Sequence, residues 1–258
     1  MTTIEGNNQN DTNKTINDLC TLVEHLSVHQ RLLAGKIEEL FSHHEQIFTQ
    51  QNRIYSQIDA LFSIFSLIQV RYPLPTMRGW PVSPDFVKIL ISLMLELKPA
   101  SVVELGSGVS TIVGAYCIEK NGIGELVSID HDIDFSQVTL RNLELHGLGS
   151  LAKVHCCPLE KQVFSGQDHL WYKSNMDFLP SSIDLLVVDG PPAALDNNIR
   201  YLSVPFFFER LSPGAVVLLD DAIRPGEKEI VKRWMDEYPC FDEEYVDTEK
   251  GAVILRRK

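Results

Sequence analysis

The sequence predicts an α/β protein: a doubly wound, mostly parallel seven-stranded sheet with an antiparallel C-terminal strand, preceded by a long coiled-coil helix. Three observations carry that prediction. Short β-branched and leucine-rich runs alternate with helical segments from residue 83 onward, the pattern of a parallel sheet covered on both faces. The last two such runs are joined by Glu249-Lys250-Gly251, a turn that folds them into an antiparallel pair. Between Ile16 and Ile68 apolar residues return every 3.5 positions, which is the coiled-coil period.

With Ile16 as a heptad a position, the d series runs Leu19, Leu26, Leu33, Leu40, Ile47, Ile54, Leu61 and Ile68, and no proline interrupts it. At 1.5 Å per residue such a helix is about 80 Å long. Alone it would leave its seam in water, so self-association through it is expected. Gln30, His44 and Gln51 at a positions weaken the core but fix register and strand number. Leucine at early d positions and isoleucine at later ones pull toward different strand numbers, so dimer and trimer both stay open. Of the adjacent His43 and His44, one lies beside the seam and one on it, which favours a coil role over a metal site.

The chain thus divides into a disordered polar tail (1–14), a coiled-coil oligomerisation helix (15–70), a linker (71–82) and a globular domain (83–258). Ser83 and Pro84 open the domain's first helix, as cap and first-turn residue. Strands are expected at 101–105, 125–130, 152–157, 183–189, 215–220, 243–247 and 252–255. Helices are expected at 110–119, 135–146, 199–211 and 227–238.

Composition narrows the function. A net charge of −12 argues against a nucleic-acid or acidic-membrane partner. No apolar run reaches the ~18–20 residues of a membrane span, and the N-terminus lacks a signal-peptide pattern, so a cytoplasmic location is expected. Five cysteines without a C-x-x-C encode neither a disulfide framework nor a zinc ribbon. Cys156 and Cys157 read as buried strand thiols.

In a doubly wound sheet, ligands sit beyond the carboxyl ends of the strands. After the first strand stands Glu104-Leu105-Gly106-Ser107-Gly108-Val109-Ser110-Thr111. Its glycines let a ligand approach the backbone, and the helix that follows favours negative charge. Thr111 replaces the third glycine of a dinucleotide fingerprint, and Glu104 would repel a pyrophosphate, which counts against an NAD-dependent oxidoreductase. Asp130 ends the second strand, 24 residues after Gly106, and suits ribose hydroxyls; a solvated loop acid is the plainer alternative. His131 beside it is either an adenine neighbour or an exposed turn histidine.

Val102-Val103-Glu104-Leu105-Gly106-Ser107-Gly108, with Ser128-Ile129-Asp130-His131 downstream, resembles the class I S-adenosylmethionine-dependent methyltransferases from about Trp80 to the C-terminus. The resemblance implies S-adenosyl-L-methionine as cofactor. Glu104 and the backbone of Gly106, Ser107 and Gly108, leading into Ser110 and Thr111, would hold its amino-acid end. Asp130 would hold the ribose, with His131, Cys157, Pro158 and Leu159 beside the adenine.

Asp189 ends the fourth strand, and Asp220-Asp221 the fifth. Three carboxylates on one sheet edge suit Mg²⁺, and metal-dependent O-methyltransferases of the catechol and sugar type, which this branch resembles, carry acids at those places. Those of the catechol type also carry a lysine three residues after the first acid; here Pro192 stands there. Asp189 or Asp221 acting as base without metal is therefore the simpler option. Trp80, Arg200, Tyr201 and Arg224 are candidates to line the acceptor pocket, and Trp171-Tyr172 offers either a platform or core packing. The expected function is O-methylation of a sugar, glycan or small hydroxylated metabolite; the alternative is a catalytically idle cofactor-binding scaffold.

Overall fold

The computed structural model describes residues 5–173, 176–196 and 198–258. Two compact units divide at Tyr55 and Ser56. The first is helical, formed by the opening part of a single helix, α1 (Glu5–Leu67). Helix begins at Glu5, inside the stretch expected to be a disordered tail; the first four residues lie outside the described ones. No proline lies between Glu5 and Thr15, and extending an existing helix adds one hydrogen bond per residue fixed.

The second unit holds the sheet. Its elements are α2 (Pro84–Leu97), β1 (Ser101–Leu105), α3 (Val109–Asn121), β2 (Glu125–Asp130), α4 (Ile133–Leu145), β3 (Ala152–Cys156), β4 (Leu159–Phe164), β5 (Gln167–Tyr172), β6 (Ile183–Val188), α5 (Ser203–Phe207), β7 (Leu211–Leu219), α6 (Pro225–Glu237), β8 (Phe241–Val246) and β9 (Ala252–Arg257). The seven-stranded sheet runs β3-β2-β1-β6-β7-β9-β8. Pairings from β3 to β7 are parallel, and β9 is antiparallel to both β7 and β8. Chain order therefore reverses between β1 and β6, which opens a crevice at the carboxyl ends of those two strands.

Period-two alternation splits the core between the faces. Val102, Leu126, Leu185, Val187, Val216 and Leu218 pack with α2 and α3. Val103, Leu105, Val127, Leu186, Val217 and Leu219 pack with Trp171, Phe207 and Trp234 on the other side. Trp171 and Tyr172 are thus core residues, not a platform.

Three local outcomes differ from the sequence expectation. The hairpin β4–β5 was not anticipated: its strands mix polar and apolar residues without a buried run, and the turn signal is the single pair Ser165-Gly166, both at positive φ. The helix expected over 199–211 is broken into 3₁₀ turns at Ile199–Leu202 and Phe208–Arg210 around the five-residue α5, which contains Pro205. Last, the end of α1 leaves the heptad register. Ala60, Ile64 and Ile68 are buried in the core of the second unit, whereas Phe65, a heptad a residue, is exposed. Gln57 donates to Asp85 (2.7 Å), fixing this stretch to α2. The coil expected to run to residue 70 therefore yields to domain packing after Ile58.

Candidate active site

Four segments meet at the crevice because the ladder continues past the strand ends. The Gly106 N–H donates to the Ile129 carbonyl (2.8 Å), that of Asp189 to Leu105 (2.9 Å), and that of Asp220 to Val188 (3.0 Å). Gly106, at φ +93°, sits against Gly190; a Cβ on Gly190 would stand 2.9 Å from the Tyr172 hydroxyl and 3.0 Å from the Gly106 nitrogen. Glycine at both positions lets the two loops close on each other.

The glycine loop is held from below. Buried Glu104 accepts from the Thr111 hydroxyl (2.5 Å), whose oxygen accepts the Gly108 N–H (2.9 Å). Burial pushes the Glu104 carboxyl up to about 7, against hydrogen bonds from Ser110, Thr111 and Ser128. From the side, Asp130 Oδ2 accepts both the backbone N–H (2.8 Å) and the hydroxyl (2.6 Å) of Ser107. Burial alone would raise the Asp130 pKa, but bonds from His131, Ser107 and the Asp132 backbone outweigh it and hold it below the ordinary range. Asp132, next in line, caps α4 by accepting from the backbone of Asp134 and Phe135.

Above this loop lies a cavity of about 430 Å³. Gly106, Ser107, Gly108, Ser110, Asp130 and His131 line it, opposite Asp189 and Gly190. A Cβ on Gly108 would meet nothing within 4 Å, so the space over the loop is open. Glu104 and Thr111 do not line it; they lie beneath the loop. Cys157, Pro158 and Leu159 do not line it either: Cys157 is buried beside β2, its N–H on the Asp130 carbonyl (2.7 Å), and Pro158 accepts from Lys173 at the base of the unforeseen hairpin. Phe135 and Asp132 of the α4 entry stand there, and Pro75, Pro81 and Val82 of the linker close the far wall. The apolar pattern of α4 hid Phe135, since an exposed aromatic on an amphipathic helix has no local signature.

A second cavity, about 340 Å³, adjoins it and is lined by Gly79, Trp80, Asp189, Pro192, Arg200 and Arg224 among others. Asp189 and Trp80 line both cavities. Lys250, in the β8–β9 turn, donates to the carbonyls of Trp80 (3.3 Å) and Pro81 (2.8 Å) and so holds this wall. Tyr201 is not part of the cavity. Its hydroxyl donates to Glu237 (2.6 Å) and its ring lies under Arg233, because the 3₁₀ turn points consecutive residues to different sides.

Oxygens of Asp189, Asp220 and Asp221 lie within 4.8 Å of one another, the cluster expected from the strand ends. A guanidinium already stands among them. Arg200, 3% exposed, places Nη1 3.0 Å from Asp221 Oδ2 and Nη2 3.6 Å from Asp189 Oδ1. It also donates to the carbonyls of Asp189 (2.6 Å), Pro191 (3.1 Å) and Asp220 (3.2 Å). Arg224 pairs with Asp221 (2.9 Å), and Lys250 lies 3.9 Å from Asp220. Both Asp220 oxygens are buried without a hydrogen-bond partner among the described residues, and burial, with Asp189 and Asp221 beside it, raises that carboxyl well above its ordinary value. A fixed guanidinium on the oxygens of Asp189 and Asp221 competes with a divalent ion for them. Burial also raises Asp189, to about 7, with Arg200 pulling it down.

Residues 103–222 match the family model described as a methyltransferase domain. No curated protein sequence matches the chain significantly. Among solved structures, the SAH-bound Podospora anserina methyltransferase PaMTH1 superposes with a TM-score of 0.56 at 15% identity, covering 79% of this chain and 88% of that one. The O-methyltransferase from Bacillus cereus in complex with SAH gives 0.53 at 16%, over 79% and 91%. A putative O-methyltransferase from Klebsiella pneumoniae gives 0.53 at 15%, over 79% and 90%. At these identities the likeness establishes a shared fold. The family match gives residues 103–222 a methyltransferase domain, and the sheet order is that of a doubly wound, Rossmann-like fold.

Proposed function

We propose that the protein methylates a hydroxyl oxygen of a small acceptor, a sugar, glycan or hydroxylated metabolite, with Asp189 as the base. The observation that carries this reading is the placement of Asp189 at the junction of the two cavities. The larger cavity takes the cofactor. The N-terminus of α3 and the backbone of Gly106–Gly108 suit a carboxylate, Asp130 suits the ribose through Oδ1, and His131 and Phe135 flank the adenine. When bound, the cofactor supplies an electrophilic sulfonium methyl, which an acceptor oxygen attacks in line as the carbon–sulfur bond breaks toward sulfur. The chain aligns the two partners, and Asp189 takes the proton released by the acceptor. Trp80 forms an apolar wall for a sugar ring or aromatic acceptor beside that base.

Mg²⁺ has no part in this reading. Arg200, anchored on three carbonyls, balances Asp189 and Asp221. The free cysteines suit a reducing, cytoplasmic setting. Self-association through α1 belongs to the same reading, supported by the long apolar row that the single chain leaves exposed.

Titration calorimetry of S-adenosylhomocysteine into the full-length protein tests the cofactor assignment. Micromolar affinity is expected, unchanged by EDTA or Mg²⁺, and at least tenfold weaker in Asp130→Ala, about 1.4 kcal/mol. Absence of binding overturns the cofactor site, and equal affinity in the variant overturns the ribose role. Methyl transfer lost in EDTA and restored by Mg²⁺ overturns the part given to Arg200.

A further inference from the structure

The seam of α1 is broader than a two-stranded coil uses. Between Ile16 and Tyr55 the heptad e positions hold Cys20, Ser27, Ala34, Phe41, Phe48 and Tyr55, none of them charged. All five carboxylates of this stretch and both arginines fall at b or c, and Lys36 is the one charge at g. In two-stranded coils the e and g positions flank the seam and carry the charge pairs that choose the partner. Here e joins a and d in one apolar face, three positions in seven, which is the width of a helix facing several neighbours in a bundle. Phe41, Phe48 and Tyr55 are each more than half exposed in the single chain, as are Ile37, Leu40 and Ile54 of the seam. Isoleucine at late d positions, Ile47 and Ile54, points the same way.

The occupant of this face is read from the polar a residues. Gln30, His44 and Gln51 interrupt the a series. In a parallel, in-register assembly of identical chains each meets its own copies and can hydrogen-bond with them. In an antiparallel pairing each would be buried against leucine or isoleucine with no polar partner, and a stagger of whole heptads leaves at least one of them against valine or isoleucine. We propose that α1 assembles as a parallel, in-register bundle of at least three copies of this chain, with the aromatic e row buried between neighbours. The proposal rests on the self-association stated above and adds its strand number and direction.

Sedimentation equilibrium of the full-length protein tests it. A mass of three or more times 29.2 kDa is expected. The double variant Phe48→Lys, Tyr55→Lys is expected to fall to a dimer or monomer while its affinity for S-adenosylhomocysteine stays unchanged, which shows the second unit intact. A dimeric wild type overturns the strand number and leaves association standing; a monomeric one overturns both. A double variant that keeps the wild-type mass overturns burial of the e row. For direction, Gln51→Cys in a Cys20→Ser background is expected to form an interchain disulfide under mild oxidation. No disulfide beyond that of the parent overturns the parallel register.

Discussion

The two units of this chain differ in where their apolar surface goes. Along α1 up to Tyr55 the large apolar residues remain in water in the single chain, including Leu19, Leu33 and Leu40. From Ser56 onward the same helix buries Ala60 and Ile64, and Ile68 just after its end joins the same closed core. One regular backbone therefore serves two purposes, and the change occurs without a break in the helix. Helical periodicity shows that a face is apolar. Which surface meets that face depends on the rest of the molecule. The catalytic unit differs in a second way: it buries charge as well as carbon, with Arg200, Asp220, Asp221 and Glu227 all within it. Arg200 is satisfied by three backbone carbonyls and by Asp221, and the buried groups converge on the crevice.

That contrast can be broken at three points. The largest effect is expected from Asp189→Asn, which keeps the shape of the junction but removes the base: methyl transfer should fall by about 10²–10⁴-fold, with S-adenosylhomocysteine affinity and sedimentation mass unchanged. A variant that retains activity would place the base elsewhere. Next, Ile64→Ala empties a fully buried site and should destabilise the catalytic unit by about 2–5 kcal/mol in thermal unfolding. Ile47→Ala, in the exposed stretch, should leave that transition where it is and weaken association instead. Equal effects of the two on the unfolding temperature would erase the boundary drawn at Tyr55. For the same reason a truncation at residue 70 strips core residues, and one at residue 55 does not.

The smallest effect concerns Glu104. Its folded pKa of about 7 lies above the ordinary 4.5, so between those values the fold holds a proton that the unfolded chain releases. The associated stabilisation is present at about pH 4.5 and below, and is lost as pH rises through 7. Glu104→Gln copies the neutral form. It should match the wild-type melting temperature near pH 4.5 and exceed it at pH 8, by up to about 3 kcal/mol in stability. A variant that melts lower at both pH values would show that the ionised carboxylate is the form the loop requires.

Much of the catalytic unit was legible because its signals are local. Gly106-Ser107-Gly108 after a strand, an acid ending the next strand, and Asp189 and Asp220-Asp221 ending two more stand where the strand pattern puts them. The hairpin β4–β5 was illegible because its strands are half exposed and carry no clean alternation. Cys157 and Pro158 stand at the base of that hairpin, a setting the sequence reading lacked. Tyr201 was misplaced for a related reason: adjacent residues in a 3₁₀ turn diverge, so proximity in sequence to Arg200 did not carry Tyr201 to the cavity.

The sequence by itself determined the order of most strands and helices, the ligand-facing glycine loop, the acids at three strand ends and the apolar seam of α1, since each follows from neighbours a few residues apart. Only the tertiary structure decided that Arg200 stands among the acids, that Trp80 and Asp189 share two cavities, and that α1 changes partners after Ile58. Those outcomes depend on which strands become neighbours. The order β1-β6-β7 brings together segments that are distant in the chain, and no local pattern records that approach.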